Sequence, residues 1–198
     1  MRTTFFAGKS AEVSEHCRLA RDDMFRIQEH LMEPVDRVAV ARECLKRITA
    51  AVSIRRIFGP RRVRGAADEL NSSLELAVRT IEWLMSDRYH RSELERPVEL
   101  QAAEILVEVV GVIVVAGTLK ITRLQALHRT CFRLKEHARF LYQEACRVDG
   151  RYFGQLGEAL LSEIRNTALG LDFKADDVGS EIITKMHQLR RCRRPRYA

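Results

Sequence analysis

The chain has 198 residues and a formal net charge of +7, with 46% hydrophobic and 31% charged residues. This composition excludes an intrinsically disordered chain, and the length allows one domain or two small helical lobes. The longest apolar run, residues 109–119, is about half of the ~20 residues that span a bilayer, so we expect no transmembrane helix. The apolar run at the N-terminus is too short for a signal peptide. Five cysteines without a Cys-x-x-Cys pair predict reduced thiols in a cytosolic or nuclear protein.

Apolar residues at helical spacing predict three helices in the first part of the chain. Ser10 is the expected N-cap of the first helix, and Pro34 ends that helix and opens the second. The second apolar stripe covers residues 38–52, and the third covers residues 67–85. The first stripe consists of Val13, Cys17, Ala20, Met24, Ile27 and Leu31. Each stripe is a helix face that we expect to find in the core.

The fourth element is the one whose type the residues leave open. Residues 109–117 are rich in β-branched side chains, which are typical of a buried strand. No other segment alternates apolar and polar residues, so such a strand would have no partner. We therefore predict a central helix that ends near Gly117 and that neighbouring helices cover on all sides. Ser92 and Glu95 fit a capping box at its start.

Three more helices are predicted in the C-terminal part. A fifth carries an unbroken apolar stripe over residues 121–145, a sixth follows a turn at residues 148–154, and a short seventh begins at Ser180. The expected fold class is all-α, with about seven helices packed as one or two small helical bundles. We place an N-terminal helical lobe at residues 1–93 and a C-terminal helical lobe with a basic tail at residues 94–198.

The sequence contains no recognised catalytic or metal-binding motif. None of the six histidines follows a glutamate by three residues, as a di-iron bundle requires, and no His-x-x-x-His occurs. Gly-Gln-Leu-Gly at residues 154–157 lacks the Gly-Lys-Ser/Thr of a phosphate-binding loop, and no Gly-x-Ser-x-Gly is present. We therefore expect a protein that is not an enzyme and that uses no metal or other cofactor.

Two arginine-rich segments carry the excess charge. Residues 53–65 and the C-terminal tail each contribute +5, so the remaining chain is net −3. Such clusters suit a polyanion, because a guanidinium binds phosphate in a bidentate way; a solvated loop and a solubilising tail are the alternatives. The predicted residues for membrane or phosphate binding are Arg55, Arg56, Arg61, Arg62 and Arg64. The predicted second basic surface consists of Arg129, Arg133, Arg190, Arg191, Arg193 and Arg194.

Three segments resemble the orthomyxovirus matrix proteins. Phe-Ala-Gly-Lys-Ser at residues 6–10 is similar to the Phe-Ala-Gly-Lys-Asn that opens an early helix in influenza matrix proteins. Residues 76–84 are similar to the family's Arg-Ala-Val-Lys-Leu-Tyr-Lys-Lys-Leu helix, and residues 102–119 resemble its Ala-Lys-Glu-Ile run and the apolar helix after it. The family's lysine cluster falls on residues 80–84, which contain no lysine. The resemblance thus points to a divergent, isavirus-like member in which residues 55–64 and the exposed side of the fifth helix take over the basic function.

The resemblance implies a structural protein of a virion rather than an enzyme. Such a protein assembles with copies of itself beneath the envelope, binds anionic membrane through basic surfaces, and contacts the viral ribonucleoprotein or RNA. Its expected locations are the virion, the host cytoplasm, the inner face of the plasma membrane and, if the arginine clusters act as import signals, the nucleus. Two other classes remain open: a helical RNA-binding protein without a membrane role, and a helical adaptor whose apolar groove binds a partner helix.

Overall fold

The computed structural model describes residues 2–28, 34–85, 97–148 and 154–192, and these ranges contain helices and short connections without any strand. The all-α prediction is therefore confirmed for this part of the chain. The fourth element, left open by its β-branched residues, is a helix. The helices are α1 (Arg2–Gln28), α2 (Pro34–Phe58), α3 (Ala66–Leu84), α4 (Pro97–Ala116), α5 (Ile121–Arg147) and α6 (Gly154–Cys192).

The even-numbered helices run in one direction. Arg37 of α2 donates a hydrogen bond to Glu99 of α4 near the start of both helices, and Arg55 of α2 donates to the carbonyl of Ala116 near their ends. Helix α6 is parallel to α4 as well, because hydrogen bonds join the two helices near their starts and near their ends. The C-terminal ends of α2, α4 and α6 therefore lie at the same end of the bundle.

The odd-numbered helices run in the opposite direction. Lys9 near the start of α1 lies over the ring of Phe58 at the end of α2. Farther along α1, the carbonyl of Ala20 accepts a hydrogen bond from Cys44, which lies in the earlier part of α2. Helices α3 and α5 are parallel to each other, since successive side-chain contacts between them advance along both helices in the same chain direction. Up-and-down packing of this kind is typical of helical bundles with short connections.

One buried apolar cluster draws side chains from all six helices. Helix α4 packs against α2, α3 and α6, which explains why it is apolar on nearly all sides. The first predicted stripe is confirmed from Val13 to Ile27, whose members are fully buried, while Leu31 lies outside the described residues. The boundary between residues 93 and 94 also lies outside them, and the division into two lobes stays a prediction.

Two predicted helix boundaries are wrong. Helix α1 begins at Arg2, so Ser10 is not an N-cap; its hydroxyl instead donates to the carbonyl of Arg64 at 2.9 Å. Ser180 opens no seventh helix, because α6 is continuous and the described ranges contain six helices. The apolar stripe of α6 continues at helical spacing through Ala175, Val178 and Ile182. Burial of this stripe stabilises the helix across Gly179, which lies just before Ser180. The capping box at Ser92 and Glu95 lies outside the described residues.

Candidate polyanion-binding site

Six exposed arginines lie at one end of the bundle. Arg55, near the end of α2, donates to the carbonyl of Ala116. Lys185 of α6 donates to the carbonyl of Val115 at 3.1 Å. These two carbonyls belong to consecutive residues at the C-terminal end of α4, so the ends of α2 and α6 lie on either side of it. We call the basic residues gathered here the basic end: Arg55, Arg56, Arg61, Arg62, Arg64, Lys120, Lys185, Arg190 and Arg191.

The connection between α2 and α3 is held in a defined shape. Gly59 and Gly65 have φ angles of 75° and 82°, a backbone conformation that glycine adopts without steric cost. Val63 is buried between them, and Ser10 of α1 binds the carbonyl of Arg64. Residues 59–65 are therefore anchored to the core and to α1, while the arginines of this connection are exposed.

The five arginines predicted for phosphate or membrane binding have two different environments. Arg55 is half-buried and binds α4, where its charge also offsets the negative C-terminal end of the helix dipole. Arg56, Arg61, Arg62 and Arg64 are exposed. In residues 2–28, 34–85, 97–148 and 154–192, no carboxylate lies within ion-pair distance of Arg56, Arg61 or Arg64. These three charges are available to an external anion, whereas Arg55 helps to build the site.

The predicted second basic surface is divided by the structure. Arg190 and Arg191 lie in the last turn of α6, about 8–9 Å beyond Lys185 along the helix. They therefore belong to the basic end together with the first cluster. Arg129 and Arg133 lie on the exposed side of α5, away from this end. Arg193 and Arg194 lie outside the described residues.

Exposed aliphatic side chains accompany the arginines, and sequence reasoning missed them. Ile57, in the last turn of α2, is 76% exposed, and Val115, near the end of α4, is 58% exposed. Phe58 instead packs against the core. The signal for Ile57 is its position after Arg55 and Arg56 in a helix whose core face is already filled by other residues. Val115 sits inside an apolar run, where nothing in the sequence marks it as exposed.

Three of the five cysteines are buried. Burial raises the pKa of the thiols of Cys17, Cys44 and Cys131 to about 12, which removes them as thiolate nucleophiles. No group of three or more His, Cys, Asp and Glu side chains in the part of the chain that the structure describes is placed to hold a metal ion. None of the helices, within the same ranges, is long and apolar enough to cross a membrane.

No protein-family model, no curated protein and no solved structure matches this chain. The resemblance to orthomyxovirus matrix proteins therefore stays a prediction from the residues that suggested it.

Proposed function

We propose that the protein is a matrix-type structural protein without catalytic activity, which binds an anionic membrane through its basic end and associates with copies of itself. The observation that carries this proposal is the convergence of two arginine clusters, far apart in sequence, on one end of the bundle. Contacts of Arg55 and Lys185 with α4 hold the clusters together. In a virion, such a protein would lie between the envelope and the ribonucleoprotein.

The charges at the basic end are sufficient for reversible adsorption. A basic residue close to an anionic membrane contributes about 1 kcal/mol, and salt screens this attraction. If six exposed side chains reach the headgroups, the electrostatic contribution is on the order of 6 kcal/mol per molecule. Association of neighbouring molecules on the membrane would strengthen attachment further by avidity. These six exposed side chains are Arg56, Arg61, Arg64, Lys120, Arg190 and Arg191.

The exposed aliphatic residues favour lipid over nucleic acid as the partner. Proteins that bind single-stranded nucleic acid place exposed aromatic rings among their basic residues, because bases stack on them. Here the aromatic residue of the segment, Phe58, packs against the core, and the side chain exposed beside the arginines is Ile57. Burying such a side chain in the acyl region contributes about 1.5–3 kcal/mol. Ile57 and the arginines together fit an anionic phospholipid surface.

Flotation of the purified protein with vesicles tests the proposal. We expect binding to vesicles that contain phosphatidylserine, little binding to neutral vesicles, and a strong loss of binding at high salt. The variant Ile57→Ser should float less well while its binding to RNA, measured by gel shift in the same buffers, stays unchanged. Protein that is folded, binds RNA at low salt and fails to float would overturn the membrane proposal in favour of a helical RNA-binding protein.

A further inference from the structure

Large apolar side chains are exposed on the outer sides of the two C-terminal helices. Phe132 and Phe140 of α5 are 57% and 56% exposed, and Phe173 of α6 is 65% exposed. Single exposed apolar residues are common on protein surfaces. Exposed phenylalanines on two neighbouring helices, each accompanied by charges of one predominant sign, are typical of an interaction surface.

The outer side of α5 is aromatic and basic. Arg129 and Phe132 are three residues apart, and Arg133 and Phe140 are seven apart, so all four lie on the same side of the helix. Glu136 lies on this side as well. Throughout the described ranges, no carboxylate is within ion-pair distance of Arg129 or Arg133. We call these five residues the α5 face.

The outer side of α6 is aromatic and acidic. Phe173, Asp177 and Glu181 follow one another at intervals of four residues and therefore lie in one stripe. Asp177 and Glu181 are exposed, and neither makes an ion pair with any residue that the structure describes. We call these three residues the α6 face. Their neighbours Asp172 and Asp176 are different, since they bind basic side chains of α5 across the junction of the two helices.

The two faces are complementary in charge and share aromatic residues. They cannot meet within one molecule, because α5 and α6 pack against each other through other sides. We propose that the α5 face of one molecule binds the α6 face of a second copy. Aromatic and arginine side chains provide much of the energy of protein interfaces, and opposite charges fix the register. This inference rests on the self-association in the proposed function and names the surfaces that carry it.

The way in which the two faces meet determines the size of the assembly. A contact that joins one α5 face to one α6 face leaves one free face of each kind, and this heterologous arrangement generates rings or open polymers. A two-fold dimer would instead join both pairs of faces at once and stop at two molecules. Both arrangements use the same faces, and the growth of the assembly with protein concentration distinguishes them.

Sedimentation velocity with face-specific variants tests the interface. The experiment uses the full chain with a reductant, because Cys146 and Cys192 are exposed. Phe132→Ser with Arg133→Glu disables the α5 face, and Phe173→Ser with Asp177→Lys disables the α6 face. Each variant alone should be monomeric, with self-association weakened by about 30-fold or more. An equimolar mixture of the two should form a 1:1 dimer and stop there, because only one intact pair of faces remains.

A charge exchange provides a second measurement that does not remove aromatic residues. Arg129→Glu with Arg133→Glu should weaken assembly, and adding Asp177→Lys with Glu181→Lys in the same chain should restore it. All four positions are exposed, and circular dichroism checks that each variant is folded.

Three results would overturn the inference: a wild-type protein that stays monomeric, single-face variants that assemble like the wild type, or a mixture that stays monomeric or grows beyond the dimer. Vesicle flotation separates this inference from the membrane proposal. A protein that floats but never self-associates overturns the interface and the self-association in the proposed function, while membrane binding stands. A protein that assembles without floating overturns membrane binding alone.

Discussion

Removal of one partner of the buried ion pair between α2 and α4 is predicted to destabilise the fold strongly. The Arg37 and Glu99 side chains are 8% and 2% exposed, and a guanidinium nitrogen lies 2.8 Å from a carboxylate oxygen. The Arg37 guanidinium also lies 5.5 Å from the centre of the Trp83 ring. In Glu99→Leu, Arg37 would remain as a buried charge without its counter-ion, which costs about 3–5 kcal/mol.

The chemistry of the substitution sets where the loss falls in this range. Glu99→Leu offers Arg37 no acceptor, so we expect a loss near 5 kcal/mol. Glu99→Gln keeps an amide oxygen that accepts a hydrogen bond, so we expect a loss near 3 kcal/mol. For a chain of this length, a loss of ~3 kcal/mol lowers Tm by about 6–12 °C. Arg37→Met combined with Glu99→Leu removes both charges and should be close to the wild type in stability, or more stable.

Urea denaturation followed by circular dichroism measures these free energies of unfolding. The single variants should shift the midpoint with little change in slope, as a loss of stability within an unchanged fold requires. A loss of unfolding free energy below about 1 kcal/mol in Glu99→Leu would refute the claim that Arg37 is a buried charge that depends on Glu99. A double variant no more stable than Glu99→Leu would contradict the idea that the uncompensated charge causes the loss.

Three further predictions concern burial and helix packing. Under native conditions a thiol reagent should modify only Cys146 and Cys192, with full labelling on unfolding, because burial raises the pKa of Cys17, Cys44 and Cys131 to about 12; rapid native labelling of a third thiol would contradict this. Burial lowers the pKa of His137 below 6.5. Below that pH the unfolded chain takes up the proton more readily, so stability should fall on acidification, and His137→Gln should show a smaller fall in urea titrations. Gly111→Ala should destabilise by up to about 2 kcal/mol, since its methyl would lie 2.8 Å from buried Val178. Gly170→Ala meets only the movable carboxylate of Glu104 and should be neutral or stabilising; equal thermal shifts for the two variants would refute this distinction.

The fold class follows from the sequence because helical stripes are repeated over most of the chain. Residues such as Val13 and Cys17 recur at the spacing that only a helix places on one side, and their burial is confirmed. Helix boundaries were less predictable, since capping side chains also have other uses. Ser10 is a good N-cap by type, yet it binds the carbonyl of Arg64, 54 positions away. Long-range contacts of this kind leave no local pattern.

The basic residues could be predicted, but their grouping could not. Local charge marks the arginines of residues 55–64 and the pair Arg190 and Arg191 as separate clusters, and their distance in sequence suggests two surfaces. Their convergence depends on the parallel course of α2, α4 and α6, which no single segment encodes. Arg55 shows the same limit: the sequence predicts it as a binding residue, and only the folded chain places it against the carbonyl of Ala116.

In the proposed function, both arginine clusters contact the same anionic membrane. The partition of charge-reversal variants onto phosphatidylserine vesicles tests this most directly. Arg61→Glu with Arg64→Glu changes the first cluster, and Arg190→Glu with Arg191→Glu changes the second. A control, Arg42→Glu with Arg147→Glu, makes the same change in net charge outside the basic end; Arg42 lies about 20 Å before Arg55 along α2.

We predict that each basic-end variant loses at least about 30-fold in partition, because two attractive charges of ~1 kcal/mol each are removed and replaced by repulsive ones. The control should lose far less. Equal losses in all three variants would show that net charge alone drives binding. Loss in only one of the two basic-end variants would contradict a single membrane-binding end built from both clusters.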